Sequence, residues 1–270
     1  MAAGCRDYHL HTRLCGHAVG EMEEYLAAAA RAGLAEVGFA DHLPQYFLPP
    51  EERDPGLGMG EAELPGYVEK VLRLRESAMP VQLKLSIEAD YMPGYEESLV
   101  KILERYPFDY VLGSVHYIDG WGFDNPDLIS GYARRNISVL YEQYFSLVQA
   151  AARTGLFDVM AHPDLIKKFG YRPEGEISPL YEETAQIFAG AGVCVEVNTA
   201  GLRVPAGEIY PATGFLAACR RRGVPVTLGS DAHRPEQVGI GLEEAMKLVR
   251  GVGYDQIACF AGRKMELVKI

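Results

Sequence analysis

Short apolar runs rich in β-branched residues recur seven times along the chain, and each ends abruptly in polar residues. Several runs are nearly continuous in apolar character, which is typical of strands covered on both faces or lining a barrel. Predicted helices lie between them, so the alternation predicts an α/β fold with a parallel βα barrel, or alternatively an open doubly wound sheet. The predicted strands are Tyr8–His11, Glu36–Asp41, Leu83–Glu88, Tyr110–His116, Phe157–His162, Val193–Asn198 and Val226–Asp231.

The predicted helices have recognisable ends. Ser178 is expected to be an N-cap because Pro179, which follows it, suits the first helical position. Five helices are expected to end at a glycine followed by an aliphatic residue, because glycine adopts the left-handed conformation that closes a helix. Those glycines are Gly33, Gly155, Gly192, Gly223 and Gly251. The predicted helices are Glu21–Arg31, Pro65–Ser77, Tyr95–Glu104, Tyr132–Arg153, Pro179–Ala189, Pro211–Arg222 and Pro235–Arg250.

Length and composition narrow the class of protein. The 270 residues suit one barrel, so we expect residues 1–270 to form a single domain. No apolar run of about 18 residues and no signal-peptide pattern occur, which predicts a cytoplasmic protein without a membrane partner. The net charge of −11 argues against a nucleic-acid binder and for a small substrate.

The five scattered cysteines argue against a disulfide framework. Cys15 could approach a site, but a free thiol on a loop is the simpler interpretation.

All seven histidines lie at the end of a predicted strand or on the loop that follows one. A lone histidine usually has an ordinary role in the core or at the surface, but this coincidence points to a metal site. His9 and His11 are two residues apart on a strand, so they share a face with Cα atoms about 7 Å apart. Asp7 is expected on that face, where it could orient a ligand. The other histidines are His17, His42, His116, His162 and His233.

Carboxylates occupy the same positions at the ends of predicted strands. Glu88 and Asp231 each end an apolar strand, and a buried carboxylate there needs a charged partner or a metal. The imidazoles and carboxylates exceed the needs of one four-coordinate ion and would suffice for two or three, of Zn, Fe or Mn. Three other aspartates could equally cap helices or pair with cations: Asp41, Asp90 and Asp164.

Six motifs that contain these residues resemble those of the polymerase and histidinol phosphatase (PHP) superfamily, in family order over nearly the whole chain. They are Asp7–Thr12, Gly38–His42, Ile87–Tyr91, Gly113–His116, Ala161–Asp164 and Gly229–His233. Three further stretches resemble its histidinol-phosphate phosphatase branch: Ser114–Asp124, Asp164–Gly170 and Glu196–Arg203. The resemblance implies a distorted seven-stranded (β/α)7 barrel, the PHP fold, with three divalent metal ions at the C-terminal ends of its strands.

The resemblance also implies which residues hold these ions. The first ion would be bound by His9, His11, Glu88 and Asp231. Glu88 would bridge to a second ion bound by His116 and His162. The third ion would be bound by His17, His42 and His233.

The implied activity is hydrolysis of L-histidinol phosphate to L-histidinol and phosphate in histidine biosynthesis, with a metal-bridging hydroxide as nucleophile. The implied catalytic residues are Glu88, Asp231 and His233. The candidate substrate contacts are Arg203, Lys168, His42 and Asp119.

Each substrate contact has its own expected role. Arg203 is expected to bind phosphate in a bidentate manner. Lys168 is a second phosphate candidate, although Lys167 and Lys168 could instead be a solvated surface pair. Asp119 would meet the cationic groups of the substrate.

Two other functions stay open at this point. A PHP-type phosphoesterase acting on nucleotides or oligonucleotide ends would use the same ions, but the acidic net charge argues against it. A non-catalytic metal-binding module, like the PHP-type domains attached to some polymerases, is the other alternative. We expect a small phosphate monoester as the partner, without nucleic acid; the sequence does not indicate an oligomeric state.

Overall fold

The computed structural model describes residues 5–77 and 80–270. Residues 1–4, on which the prediction of no signal peptide partly rests, lie outside this range. The strands are β1 (Arg6–Leu10), β2 (Glu36–Phe39), β3 (Gln82–Asp90), β4 (Tyr110–Ser114), β5 (Tyr117–Ile118), β6 (Trp121–Gly122), β7 (Val159–Met160), β8 (Cys194–Asn198), β9 (Val226–Gly229), β10 (Gln256–Ala261) and β11 (Lys264–Lys269). The α-helices are α1 (Met22–Arg31), α2 (Leu64–Glu76), α3 (Glu96–Leu103), α4 (Ile137–Arg153), α5 (Ser178–Ala191), α6 (Thr213–Arg221) and α7 (Leu242–Val252).

Seven parallel strands form a nearly closed barrel. Their order is β1-β2-β3-β4-β7-β8-β9, and neighbouring strands in this order pair in parallel. The first and last strands meet through a parallel bridge between Leu10 and Ala232, and the His11 amide donates to the Ala232 carbonyl over 2.9 Å. The predicted barrel is therefore confirmed, and the open doubly wound alternative is wrong. All seven C-terminal strand ends consequently face the same mouth.

The strands divide their apolar residues between two clusters. In β4, Val111 packs in the large cluster shared with the helices, whereas Tyr110 and Leu112 belong to a smaller cluster within the barrel. In β8 the inner cluster includes Cys194, and the next inward position along that strand is Glu196. The interior thus changes from apolar to polar toward the mouth, which places ionisable groups at the strand ends.

The antiparallel hairpin β10–β11 was not predicted from the sequence. It supplies Phe260 to the inner cluster, where the ring centroid lies 5.4 Å from that of Tyr110 and 6.1 Å from that of Tyr8. Its two strands follow the last helix without the βα pattern used to find the others. The hairpin closes the N-terminal end of the barrel with an aromatic contact.

Several predicted boundaries differ from the structure. Helix α4 begins at Ile137, because the Asn136 side chain accepts from the Val139 amide, and Pro126–Arg134 before it is a 3₁₀ helix. Ser178 is the first residue of α5, and Ile177 occupies the N-cap position instead.

The predicted strand Phe157–His162 and helix Pro235–Arg250 are also shorter than expected. The strand is reduced to β7 because His162 has a φ of 26° and turns the chain. The helix divides into the 3₁₀ turn Pro235–Gln237 and α7, since Gly239 and Gly241 between them have positive φ values.

Four of the five predicted helix-ending glycines have φ values between 70° and 73°, as expected of left-handed caps. They are Gly33, Gly155, Gly192 and Gly223. Gly251 lies inside α7, and Gly253, with a φ of 102°, ends that helix instead. Among the described residues, no helix combines the length and the apolar character required to cross a membrane.

Replacing Phe260 with Ala is expected to lower the free energy of unfolding by about 3–5 kcal/mol, because it leaves a cavity against Tyr8 and Tyr110. The measurement is urea unfolding of metal-stripped protein. The control is Leu267→Ala on β11 of the same hairpin, where the side chain is exposed and the change should stay within about 0.5 kcal/mol. Equal effects of the two substitutions would show that Phe260 does not pack as described.

Candidate metal centre

The carboxylate of Glu88, 1% exposed, lies at the centre of a histidine cluster in the barrel mouth. Its Oε2 is 3.2 Å from His9 Nε2, 3.4 Å from His11 Nε2 and 3.1 Å from His42 Nδ1. Its Oε1 is 2.9 Å from His162 Nε2 and 3.7 Å from His116 Nε2. Each oxygen therefore faces a different group of ring nitrogens, as a bridging carboxylate would.

Asp231 borders the same cluster from the end of β9. Its Oδ1 is 3.3 Å from His11 Nε2, 3.8 Å from His9 Nε2 and 3.4 Å from His233 Nδ1. Asp231 has a φ of 53°, in the left-handed region that favours glycine. Arg203 Nη2 donates to the Asp231 and Ser230 carbonyls over 3.0 and 2.7 Å, which holds this conformation.

The remaining histidines form an outer group nearer to solvent. The ligand atoms of His17, His42 and His233 lie within 4.8 Å of one another. The Nε2 atoms of His17 and His233 are 3.0 Å apart, while His17 Nδ1 lies 2.9 Å from the Gly56 carbonyl oxygen. Gly56 belongs to the long connection 43–60, so that loop orients His17. The structure thus brings all nine predicted ligands together.

Two carboxylates hold histidines of the cluster from behind. Asp90 Oδ1 lies 2.8 Å from His116 Nδ1. Glu196 Oε1 lies 2.6 Å from His9 Nδ1, and its Oε2 accepts from the His162 amide over 2.9 Å. Sequence reasoning did not assign Glu196 a role, although it follows an apolar run just as Glu88 does.

The prediction that Asp7 shares a face with His9 is wrong, although its contacts fit a role in orienting another predicted ligand, Asp231. The pairing of β1 with β2 is irregular between Asp7 and Leu10, so the side chains do not alternate strictly there. The Asp7 carboxylate instead accepts from the Ser230 amide over 2.7 Å and from the Gly239 amide over 3.0 Å. It therefore supports the backbone beside Asp231 rather than a histidine.

Asp41 and Asp164 have the structural roles that the sequence left open. Asp41 accepts from the Thr12 amide over 2.6 Å and from its hydroxyl over 2.9 Å. Asp164 forms a 2.6 Å ion pair with Lys167, whose side chain is 2% exposed. Lys167 and Lys168 are therefore not a solvated pair.

Cys15 does approach the site. It is buried, and its sulfur lies within 4.8 Å of ligand atoms of His11 and His233. Burial raises the pKa of its thiol to about 12, so the group stays protonated near neutral pH.

The charges of the cluster follow from burial and from the neighbouring groups. Burial alone would favour the neutral acid, but His42 and His9 outweigh it and hold the pKa of Glu88 well below its usual range. Burial lowers the pKa of His42 well below its usual range, although Glu88 opposes the effect. Burial together with His11 lowers the pKa of His233 to about 3. Burial opposes a raised pKa at His9 and His116 too, but Glu196 beside His9 and Asp90 beside His116 outweigh it, and the pKa of His116 rises to about 10. Metal binding at these two rings would therefore displace a proton, whereas His42 and His233 are already neutral.

Unpartnered nitrogens show that this donor set fits metal ions. Both ring nitrogens of His11 are buried without a hydrogen-bond partner in the described part of the chain, and Nε2 of this ring is the nitrogen that faces Glu88 and Asp231. Buried polar atoms are rarely left in that state, unless they serve a bound ion. Several imidazole and carboxylate atoms converge on common points, which suits Zn, Fe or Mn.

A cavity of about 400 Å³ opens onto this cluster. Besides ligand residues, its lining includes Arg203, Lys168 and Asp124. A second cavity of about 490 Å³ shares Lys168 and Asp124 with it. Asp119 is exposed at the turn between β5 and β6 and lines neither cavity, so the structure does not support the contact predicted for it.

Residues 7–200 match the PHP domain family. This chain belongs to that family. It is 42% identical to the probable histidinol-phosphatase of Deinococcus radiodurans over 97% of this chain and 99% of the relative. It is 28% identical to the histidinol-phosphatase of Bacillus subtilis over 88% of this chain and 97% of the relative.

A solved structure has the same fold. The histidinol phosphate phosphatase of Lactococcus lactis, crystallised with zinc, L-histidinol and phosphate, superposes with a TM-score of 0.83 at 20% identity. The match covers 97% of this chain and 98% of the relative. The predicted PHP fold is therefore confirmed.

Adding Zn²⁺ to metal-stripped protein is expected to raise the thermal unfolding midpoint, because the ions bind only the folded cluster. Free zinc at about 100 times its dissociation constant would stabilise the fold by about 2.7 kcal/mol. The measurement is scanning calorimetry, and the control is Ca²⁺ at the same concentration, since Ca²⁺ prefers oxygen ligands and should stabilise less. A midpoint that does not respond to zinc would refute the metal centre.

Proposed function

We propose that this PHP-family chain is a metal-dependent histidinol-phosphatase that hydrolyses L-histidinol phosphate to L-histidinol and phosphate. The identity of the substrate is inferred from the end-to-end similarity, at 42% identity, to the probable histidinol-phosphatase of D. radiodurans. The L. lactis structure, with zinc, L-histidinol and phosphate in the same fold, supports it.

We infer three divalent ions in the cluster. The deep pair of positions, defined here as the two that share Glu88, would be held by His9, His11 and Asp231 on one side and by His116 and His162 on the other. An outer position would be held by His17, His42 and His233. When bound, such ions neutralise phosphate charge and provide an activated water near neutral pH. Zinc in the L. lactis relative favours zinc over iron or manganese.

The exposure of the catalytic candidates separates their roles. Glu88 also lines the cavity but is only 1% exposed, so it would hold ions without touching the substrate. The side chain of Asp231 is 13% exposed and that of His233 is 28% exposed, and both line the cavity. Asp231 is therefore the carboxylate placed to exchange a proton with the reacting phosphate ester, with His233 beside it.

Arg203 is placed to bind a phosphate oxygen through one nitrogen. Its Nη2 is engaged by the carbonyls of Ser230 and Asp231, whereas Nη1 is buried at the cavity without a partner among residues 5–77 and 80–270. The bidentate contact expected from the sequence would require Nη2 to leave these carbonyls. We therefore assign the contact to Nη1.

Lys168 and Asp124 form a 3.1 Å ion pair on the cavity wall. Although burial opposes it, Lys168 lowers the pKa of Asp124, which keeps this carboxylate anionic. Lys168 would add positive charge for the phosphate. Asp124, rather than Asp119 as predicted, would contact the ammonium or imidazole of the substrate.

A substrate panel tests the proposal. Phosphate release by zinc-loaded protein should show a kcat/KM for L-histidinol phosphate at least about 100-fold above that for nucleoside monophosphates or oligonucleotide ends. If phosphate is released from nucleotides at an equal or higher rate, the protein is instead a phosphoesterase that acts on nucleotides. Metal-loaded protein that hydrolyses none of them would be a metal-binding module.

Arg203→Ala is expected to reduce kcat/KM for L-histidinol phosphate about 100-fold, because it removes a preorganised donor to the phosphate. Zinc content is measured in parallel, because Arg203 also holds the Asp231 backbone, and the loss of kcat/KM that remains at full zinc occupancy is the part that reports phosphate binding. Arg172→Ala, which removes a half-exposed pair with Glu208 outside the cavity, is the control. Unchanged kinetics in Arg203→Ala would exclude Arg203 from phosphate binding.

A further inference from the structure

Glu196 is a buried carboxylate on β8 that the proposed mechanism leaves without a role. Its side chain is 1% exposed, yet within the described chain its contacts include no lysine or arginine. Its partners are His9 Nδ1, the His162 amide and the Asn198 side-chain amide, at 2.6, 2.9 and 2.9 Å. Burying a carboxylate in this way is costly unless every oxygen is satisfied. Here both oxygens are satisfied by groups belonging to or bordering the metal centre.

The contact with His9 determines which ring nitrogen can bind a metal. With a proton assigned to Nδ1, that nitrogen donates to Glu196, and Nε2 is the nitrogen left for an ion. This Nε2 points toward Glu88 and Asp231, at 3.2 and 3.8 Å. A carboxylate behind a metal-binding histidine fixes the tautomer and the ring orientation.

The second oxygen holds the backbone of a different histidine. His162 has a φ of 26°, which is unfavourable for a residue with a side chain. Its amide donates to Glu196, and its carbonyl accepts from the Leu165 amide over 2.9 Å. This turn aims His162 Nε2 at Glu88 Oε1, on the opposite side of the Glu88 carboxylate from His9.

The neighbouring strand β9 leaves space for this arrangement. A Cβ atom added at Gly229 would lie 2.0 Å from Glu196 Oε1 and 2.7 Å from the His9 Cβ. Only glycine therefore fits beside the Glu196–His9 contact. Asn198 extends the network, since its Nδ2 also lies 3.3 Å from Asp231 Oδ2.

We propose that Glu196 is a positioning residue shared by both deep metal positions, and that it couples ion binding at the two. One carboxylate fixes the tautomer of His9 on one side of Glu88 and the backbone of His162 on the other. The inference rests on the proposed function only because the ions belong to that function.

Glu196→Gln tests the coupling, because an amide cannot serve both partners. If its oxygen accepts from the His162 amide, its NH₂ faces His9 Nδ1 and drives the proton of His9 to Nε2, toward the metal. If the oxygen turns to His9, the NH₂ faces the His162 N–H instead.

Bound zinc per chain is measured at graded, chelator-buffered free zinc concentrations. We expect two ions to be lost together, with half-occupancy at free zinc about 10–100-fold higher than in the wild type. The outer ion should be unaffected.

Two control variants separate coupling from general damage. Asp90→Asn removes the carboxylate behind His116 alone and should shift the occupancy of one ion. Asp109→Asn removes a buried carboxylate elsewhere, which accepts from the Leu85 amide and pairs with Arg75, and should leave zinc binding unchanged. An unchanged zinc curve in Glu196→Gln, a shift of one ion only, or an equal shift of all ions would overturn the proposal.

Two further measurements keep the test decisive. If Glu196→Gln does not fold, judged by circular dichroism, Glu196→Asp replaces it: the shortened carboxylate reaches one partner only, and unaltered zinc binding would then refute the proposal. In zinc-loaded wild type, ¹⁵N NMR should show His9 protonated at Nδ1, and a proton on Nε2 would contradict the role of Glu196. None of these measurements uses substrate, so an inactive wild type with normal zinc binding would refute the proposed function alone.

Discussion

A single buried carboxylate, that of Glu88, organises the mouth of the barrel. Ring nitrogens of five histidines lie within 3.7 Å of its two oxygens, and these histidines lie in or just after four different strands. A carboxylate that is 1% exposed would be strongly destabilising without such partners. The parallel barrel brings the partners to one point, because it directs every strand end to the same face. Closure between Leu10 and Ala232 places His11 beside Asp231, which completes the ring of ligands.

Most of this centre could be predicted from the sequence, because the signal lies in local order along the chain. Apolar runs ending in His or a carboxylate identify strand ends, and the parallel topology then brings residues distant in sequence together. Glu88 and Asp231 were found in this way. Glu196 carries a weaker signal, because it lies inside the predicted strand Val193–Asn198 rather than at its end, and only the fold brings His9 and His162 to it.

What the sequence could not reveal depends on contacts between distant elements. Tyr8 packs in the barrel interior with Phe260 of the C-terminal hairpin, and the pairing of β1 is irregular at that level. The assumption that side chains alternate strictly between the two faces of β1 therefore failed, and Asp7 was predicted on the wrong face of that strand. The position of Asp119 failed for a different, local reason. Asp119 and Gly120 form the two-residue turn between β5 and β6, a hairpin signal that the search for βα units did not use, and Asp119 is exposed there while Asp124 reaches the cavity.

If these side chains form one metal centre, two of its ions share Glu88 as a ligand. Anomalous diffraction from zinc-loaded crystals, recorded on both sides of the zinc absorption edge, would locate each ion. We expect two strong peaks that share Glu88, one beside His9 and His11 and one beside His116 and His162, with a third among His17, His42 and His233. A single zinc peak, or peaks of which none contacts Glu88, would exclude such a centre.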